Sequence, residues 1–200
     1  MLLPTGSDLI IASHNKGKIS EIRDLLSHFS LNVTSAGDFN LDDPEETETT
    51  YEGNALLKAR YVAEKTGKAA LADDSGLSVN MLDGAPGIYS ARWAGEPRNF
   101  DTAMKRVQTE LEAKGTEDMS ASFFCALALV VPEHDVEKVF LGEVKGTLSF
   151  PPKGEKGFGY DPIFTAKGMD KTFAEIDPQH KHSISHRADA FRQLVHYLAG

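Results

Sequence analysis

Apolar residues recur along the chain with two different periods. Leu9 to Ala12 form a short continuous apolar run of the kind that builds a buried strand, and Ile19, Ile22, Leu25, Leu26 and Phe29 then return at helical spacing. Leu31 to Thr34 read as a second strand. Ala55, Ala59, Val62 and Ala63 predict a helix over residues 55–65, and Ala69 to Ala72 predict another strand. A third helix carries Phe100, Met104, Val107 and Leu111 on one face, with Lys105, Arg106 and Glu110 on another. Two long β-rich runs, Ser120 to Val131 and Val136 to Leu148, are separated by PEHD alone, which predicts an antiparallel hairpin. The last helix shows Ala188, Phe191, Leu194, Val195 and Leu198. The acidic stretch Asp42 to Glu52 and the glycine- and proline-rich FPPKGEKGFGYDP read as loops. Strands alternate with helices early and pair directly later. The expected fold is therefore α/β with a mixed sheet flanked by helices. The 200 residues contain no internal repeat or clear linker and are expected to form a single domain with ample core.

Composition narrows the partners. Hydrophobic residues make up 40% and charged residues 26%, as in ordinary globular proteins. A net charge of -9 repels polyanions, so neither nucleic acid nor an anionic membrane is an expected partner. An anionic ligand has to meet a local cluster of positive groups. The single cysteine, Cys125, lies within SFFCALALVV and has no internal disulfide partner, which fits packing and a reducing, cytoplasmic setting. The start MLLPTGSDLIIAS lacks the basic flank and long apolar segment of a signal peptide. No window stays apolar for the ~18 residues of a membrane span.

Five short stretches carry candidate chemistry. Ser13-His14-Asn15-Lys16-Gly17-Lys18 joins a strand to a helix, where free N–H groups, a glycine and two lysines suit a phosphate. The spacing is not that of a Walker A loop, and a capped helix with solvated lysines is the plainer alternative. Asp73 and Asp74 follow the apolar run directly, and Ser75 and Gly76 come next. Two like charges at a strand end cost desolvation and repulsion, which a divalent cation relieves. Mg²⁺ takes a few carboxylate oxygens and bridges to substrate phosphates. Adjacent strand residues face opposite ways, so one carboxylate is expected to face the ligand and the other to orient the loop. Glu46, in Pro44-Glu45-Glu46-Thr47-Glu48, adds a further carboxylate, although such acidic runs are usually solvated faces. In Gly157-Phe158-Gly159-Tyr160-Asp161-Pro162, Phe158 can stack on a base or, equally, belong to the core. In Lys181-His182-Ser183-Ile184-Ser185-His186-Arg187, a serine caps the last helix and basic residues occupy its first turn. Their opposition to the helix dipole points to an anionic ligand.

Taken in order, SHNKGK, NALLKAR, ADDSGL, GAPGIYSAR, GFGYDPIF and SHRA resemble the inosine/xanthosine triphosphate pyrophosphatase (Ham1) family over about residues 8–198. The resemblance implies hydrolysis of non-standard purine nucleoside triphosphates, dITP, ITP and XTP, to the monophosphate and pyrophosphate. It implies a long mixed sheet with two lobes and a central cleft, a homodimer, and Mg²⁺ as cofactor. By the same resemblance Ser13, His14, Asn15, Lys16, Gly17 and Lys18 hold the triphosphate. Asp74 is proton acceptor and metal ligand, and Glu46 is the second metal carboxylate. Ser75 touches the substrate, and Phe158, Gly159, Tyr160, Asp161, Lys181, His186 and Arg187 surround base and sugar. Arg187 or His186 is expected to donate to the purine 6-oxygen. Ser13 stands where Thr is commoner, and Ala188 where many members have Gly. A Maf-like pyrophosphatase for modified pyrimidine nucleotides is a rival that the FGYDP and SHR blocks oppose. A nucleotide-binding module without turnover is opposed by the carboxylates, which a pure triphosphate binder has little use for.

Overall fold

Most of the helices begin where a side chain takes over N–H groups that the first turn leaves unpaired. The computed structural model describes residues 2–199. Asn15 caps α1 (Lys16–Leu26) by accepting from the N–H groups of Gly17 and Lys18, and Thr50 caps α2 (Tyr51–Thr66) by accepting from that of Gly53. Asn99 caps α3 (Phe100–Lys114), and Asp177, followed by Pro178, caps α4 (Pro178–Ile184). Helix α5 spans His186–Ala199. Helices α2 and α3 both stop at a left-handed glycine, Gly67 and Gly115.

The strands are β1 (Asp8–Ile11), β2 (Asn32–Ser35), β3 (Ala69–Val79), β4 (Ser120–Val131), β5 (Val136–Leu148) and β6 (Phe164–Ala166). They form one sheet in the order β2-β1-β3-β4-β5-β6. Strand β1 runs parallel to both β2 and β3, with Leu9 opposite Val33 and Ala69, whereas β5 and β6 are antiparallel. The sheet is mixed and the class α/β, as expected.

Three boundaries differ from the periodicity. Strand β3 does not end at Ala72 but continues through Asp73, Asp74, Ser75 and Gly76 to Val79. The charged pair interrupts the apolar run without interrupting the strand, because both carboxylates are buried and paired. Helix α1 ends at Leu26, so Phe29 lies beyond it, packed edge-on against Phe191. Residues 178–184, for which the periodicity predicts no helix, form α4 with Lys181 buried.

The chain divides into two compact units. The first comprises Met1–Asp74, Cys125–Gly142 and Arg187–Gly200, and the second Ser75–Phe124 and Glu143–His186. Two separate apolar clusters sit in the first unit. Leu9, Ile11, Ala69, Leu71, Cys125, Leu127 and Leu129 pack with Ile22 and Leu26 of α1 and with Ala190 and Leu194 of α5. The alternate residues Ile10, Ala12, Ala70, Ala72, Ala126 and Ala128 pack with Ala55, Ala59 and Val62 of α2. The odd and even positions of the same strands thus feed opposite faces, which is why these strands read as continuous apolar runs. The second unit has its own core, in which Leu77, Val79, Val107, Leu111, Phe123, Phe164 and Phe173 meet.

Candidate active site

The alternation that separates the two clusters also separates the two aspartates. Asp73 continues the row of Ala69 and Leu71 toward α1 and α5, while Asp74 continues the row of Ala70 and Ala72 toward α2. On its side, Asp73 accepts from Lys18 Nζ at 2.7 Å through Oδ1 and from Arg187 Nε at 2.7 Å through Oδ2. The Cys125 thiol donates to the same Oδ2 at 3.1 Å. Arg187 also donates through Nη1 to Glu21 of α1. Burial alone would push the Asp73 carboxyl up, but the Arg187 guanidinium and the Lys18 ammonium outweigh it and hold the group well below the usual carboxylate range. Burial pushes the Cys125 thiol well up, and the Asp73 charge adds to it, so this cysteine stays a neutral donor.

Asp74 has different company. Its Oδ1 accepts from Lys58 Nζ at 2.9 Å, and the same ammonium donates to Glu46 Oε1 at 2.9 Å and to the Asp73 carbonyl at 2.9 Å. Its other oxygen, Oδ2, is buried and accepts no hydrogen bond. Burial raises the Asp74 carboxyl above its ordinary value, and the pull of Lys58 and Lys18 does not cancel that rise. Glu46 reaches Lys58 because the acidic segment is pinned from α2. The buried Asn54 side chain accepts from the Glu48 N–H at 3.1 Å and donates to the Glu48 carbonyl at 3.3 Å. This run is anchored rather than simply solvated.

The loop before α1 is partly self-satisfied. Ser13 Oγ accepts from the Asn15 N–H at 3.1 Å, and Asn15 Oδ1 takes the N–H groups of Gly17 and Lys18 at 3.0 and 3.3 Å. The helix start therefore does not present all the free donors that its sequence promises. Lys18 is committed to Asp73, whereas Lys16 is exposed. His14 pairs with Asp43 at 2.8 Å.

Of the residues expected around base and sugar, Phe158, Gly159, Tyr160, Asp161, Lys181 and His186 lie in the second unit, whereas Arg187 lies in the first. Gly157 and Gly159, both at positive φ, fold residues 157–161 around the buried Asp161 carboxylate. Asp161 Oδ2 accepts from the Phe158 N–H at 2.9 Å and from Lys181 Nζ at 2.6 Å. The Lys181 ammonium lies 4.8 Å from the centroid of the half-buried Phe158 ring. His186 is buried and stacked on Phe123, with centroids 4.8 Å apart and planes 14° apart. Tyr160 turns into the core, donating to the Ser90 carbonyl at 2.8 Å and packing edge-on to Phe100. A cavity of about 440 Å³ beside this loop is lined by Phe100, Met104, Lys156, Phe158 and Gly159, among others. Ser75 is half-buried within β3.

Within the first unit the chain thus gathers Lys18, Glu46, Asp73, Asp74 and Arg187, and within the second Phe158, Asp161 and Lys181. Three members were missed from sequence: Lys58, Glu21 and Cys125. Lys58 carried a signal, since it lies three residues after Ala55 and four before Val62, a lysine inside an apolar helix face. Glu21 is preceded by Ser20 and followed by Ile22, and its neighbours give no comparable sign.

Glu46 and Asp74 are hard oxygen donors, and the bare, buried Oδ2 of Asp74 is an acceptor that a cation would satisfy. Among the described residues no three of His, Cys, Asp and Glu come together around one point. The donor set therefore suits an ion that takes few protein ligands and keeps water and phosphate oxygens, as Mg²⁺ does.

The fold is an α/β fold with a mixed sheet, and its first unit sets buried carboxylates beside lysines. Residues 9–197 match the model of the Ham1 family, and the chain belongs to that family. It is 58% identical over 191 residues to a dITP/XTP pyrophosphatase of Rhodospirillum centenum, covering 95% of this chain and 94% of that protein. It is 56% identical over 188 residues to a dITP/XTP pyrophosphatase of Zymomonas mobilis, covering 94% and 90%. The fold matches a HAM1 protein from Coxiella burnetii with a TM-score of 0.88 and 40% identity, covering 96% of this chain and 98% of that one. The Staphylococcus aureus Ham1 protein matches with a TM-score of 0.86 and 38% identity, covering 97% and 99%.

Proposed function

We propose that this chain is a hydrolase of non-standard purine nucleoside triphosphates, converting dITP, XTP and ITP with water to the monophosphate and pyrophosphate. The identity to dITP/XTP pyrophosphatases over nearly the whole chain supports the reaction. The observation that carries the chemistry is Asp74, a buried carboxylate with one oxygen paired to Lys58 and the other accepting nothing. By the family resemblance, the same carboxylate would take a proton from water attacking the α-phosphorus. Glu46 and Asp74 would hold Mg²⁺, which when bound supplies charge neutralisation at the phosphates and a template for the water. Lys16 and the start of α1 favour the pyrophosphate leaving group.

The second unit is assigned to the base. Phe158 offers a ring face, and His186 and Lys181 are donors for the 6-oxygen of inosine and xanthosine, where adenine carries an amino donor instead. A site built to donate to that oxygen can discriminate by roughly 10⁴-fold. Arg187, an expected base reader, has Nε and Nη1 committed to Asp73 and Glu21, so its part is to hold the aspartate. We read the two units as one domain, because β3, β4 and β5 each run from one unit into the other. The family resemblance further supports a homodimer, and the lone, buried Cys125 fits a reducing, cytoplasmic setting.

Pyrophosphate release on mixing the protein and Mg²⁺ with dITP, XTP, ITP, dATP or dGTP tests the substrate class. In Asp74→Asn, dITP turnover should fall by about 10²–10⁴-fold at an unchanged melting temperature. Turnover at the wild-type rate in that variant removes Asp74 from the mechanism.

A further inference from the structure

We infer that Lys58 keeps divalent metal off the nucleotide-free protein, so that the ion is held at Glu46 and Asp74 only together with a triphosphate. The inference rests on the reading of Glu46 and Asp74 as the metal carboxylates. An ammonium has three N–H donors. Those of Lys58 match three acceptors: Glu46 Oε1, Asp74 Oδ1 and the Asp73 carbonyl, each at 2.9 Å. The positive charge therefore lies between the two side chains that would ligate the ion. It is not a loosely placed surface lysine, since its side chain is 9% exposed and it springs from the face of α2 that buries Ala55, Ala59 and Val62.

Two carboxylates and one ammonium leave a single net negative charge. That is little attraction for a dication, and the ammonium repels the ion at contact range in a poorly screened setting. A triphosphate reverses both terms. Its charges restore the attraction, and its oxygens replace the acceptors that Lys58 gives up when a carboxylate turns to the ion. Asp74 Oδ2, buried and bare, is the oxygen already available for that exchange. In this arrangement Lys58 is a positioning residue that couples metal binding to substrate binding.

The test is Mn²⁺ binding, followed by the electron paramagnetic resonance signal of the free ion and by calorimetry, on the full chain. Without nucleotide, Lys58→Gln should bind Mn²⁺ at least tenfold more tightly than wild type, and adding Glu46→Gln should abolish the gain. Wild type should gain affinity for Mn²⁺ at least tenfold when a non-hydrolysable dITP analogue is present. That second measurement needs no variant to fold. Equal or weaker Mn²⁺ binding by a folded Lys58→Gln, or wild-type binding as tight without the analogue as with it, overturns the role of Lys58 alone. Mn²⁺ binding that Glu46→Gln and Asp74→Asn leave unchanged, with analogue present, overturns the metal assignment and the inference with it.

Discussion

Arg187 is 1% exposed, and its guanidinium is shared between Asp73 on β3 and Glu21 on α1. A charge this deep is tolerated only while its partners are in place. The half-exposed pair of Arg60 with Glu137 is a useful contrast, since solvent screens it and its expected worth is below about 1 kcal/mol. Arg187→Met should destabilise the protein by about 3–5 kcal/mol, read from the denaturant midpoint, because it strands buried carboxylates. Adding Glu21→Gln should recover part of that loss. A single Arg187→Met variant as stable as wild type would show that the network is dispensable. The same reasoning separates two neighbours that look alike in sequence. Asp73 is surrounded by cations and serves as their anchor, whereas Asp74 keeps an oxygen without a donor and is the one suited to chemistry.

At the level of elements, the glycine-flanked loop of the second unit shows how backbone permits a site. Gly157 has φ +70°, and a Cβ there would lie 2.1 Å from Asp161 Oδ2, the atom that receives both the Phe158 N–H and Lys181. Gly159 has φ +68°, but its nearest neighbour to a Cβ is an edge atom of Phe100 at 3.8 Å. Gly157→Ala should therefore displace Phe158 and raise the KM for dITP several-fold, with a stability loss of about 1–3 kcal/mol. Gly159→Ala should show the backbone cost alone, with KM little changed. Equal KM values for the two variants would mean that Asp161 does not organise the loop. The helix faces and the two long strands were legible because burial on one stripe or on both faces writes a period into the chain. The continuation of β3 past Ala72 and the short helix α4 were not. Both depend on charged side chains, Asp73, Asp74 and Lys181, that become buried only through partners distant in sequence.

For the whole molecule, the net charge of -9 coexists with lysines and arginines drawn inward onto carboxylates. The surface is thus poorer in free cation than the composition implies. The protein should pass through a heparin column unretained at 0.15 M salt, a concentration at which the Debye length is ≈ 8 Å. Retention there would reveal a basic face that this distribution does not provide. Among the described residues no helix is long and apolar enough to cross a membrane. Sequence alone determined the α/β class, the helix faces, the paired strands and the blocks that carry the family, because these follow from local periodicity and short motifs. Only the tertiary structure decided which charges face one another. Strand alternation sent Asp73 toward α1 and α5 and Asp74 toward α2, and it brought Lys58 and Arg187 from 16 and 114 residues away. Pairings at such separations depend on how the elements pack and leave no period in the chain.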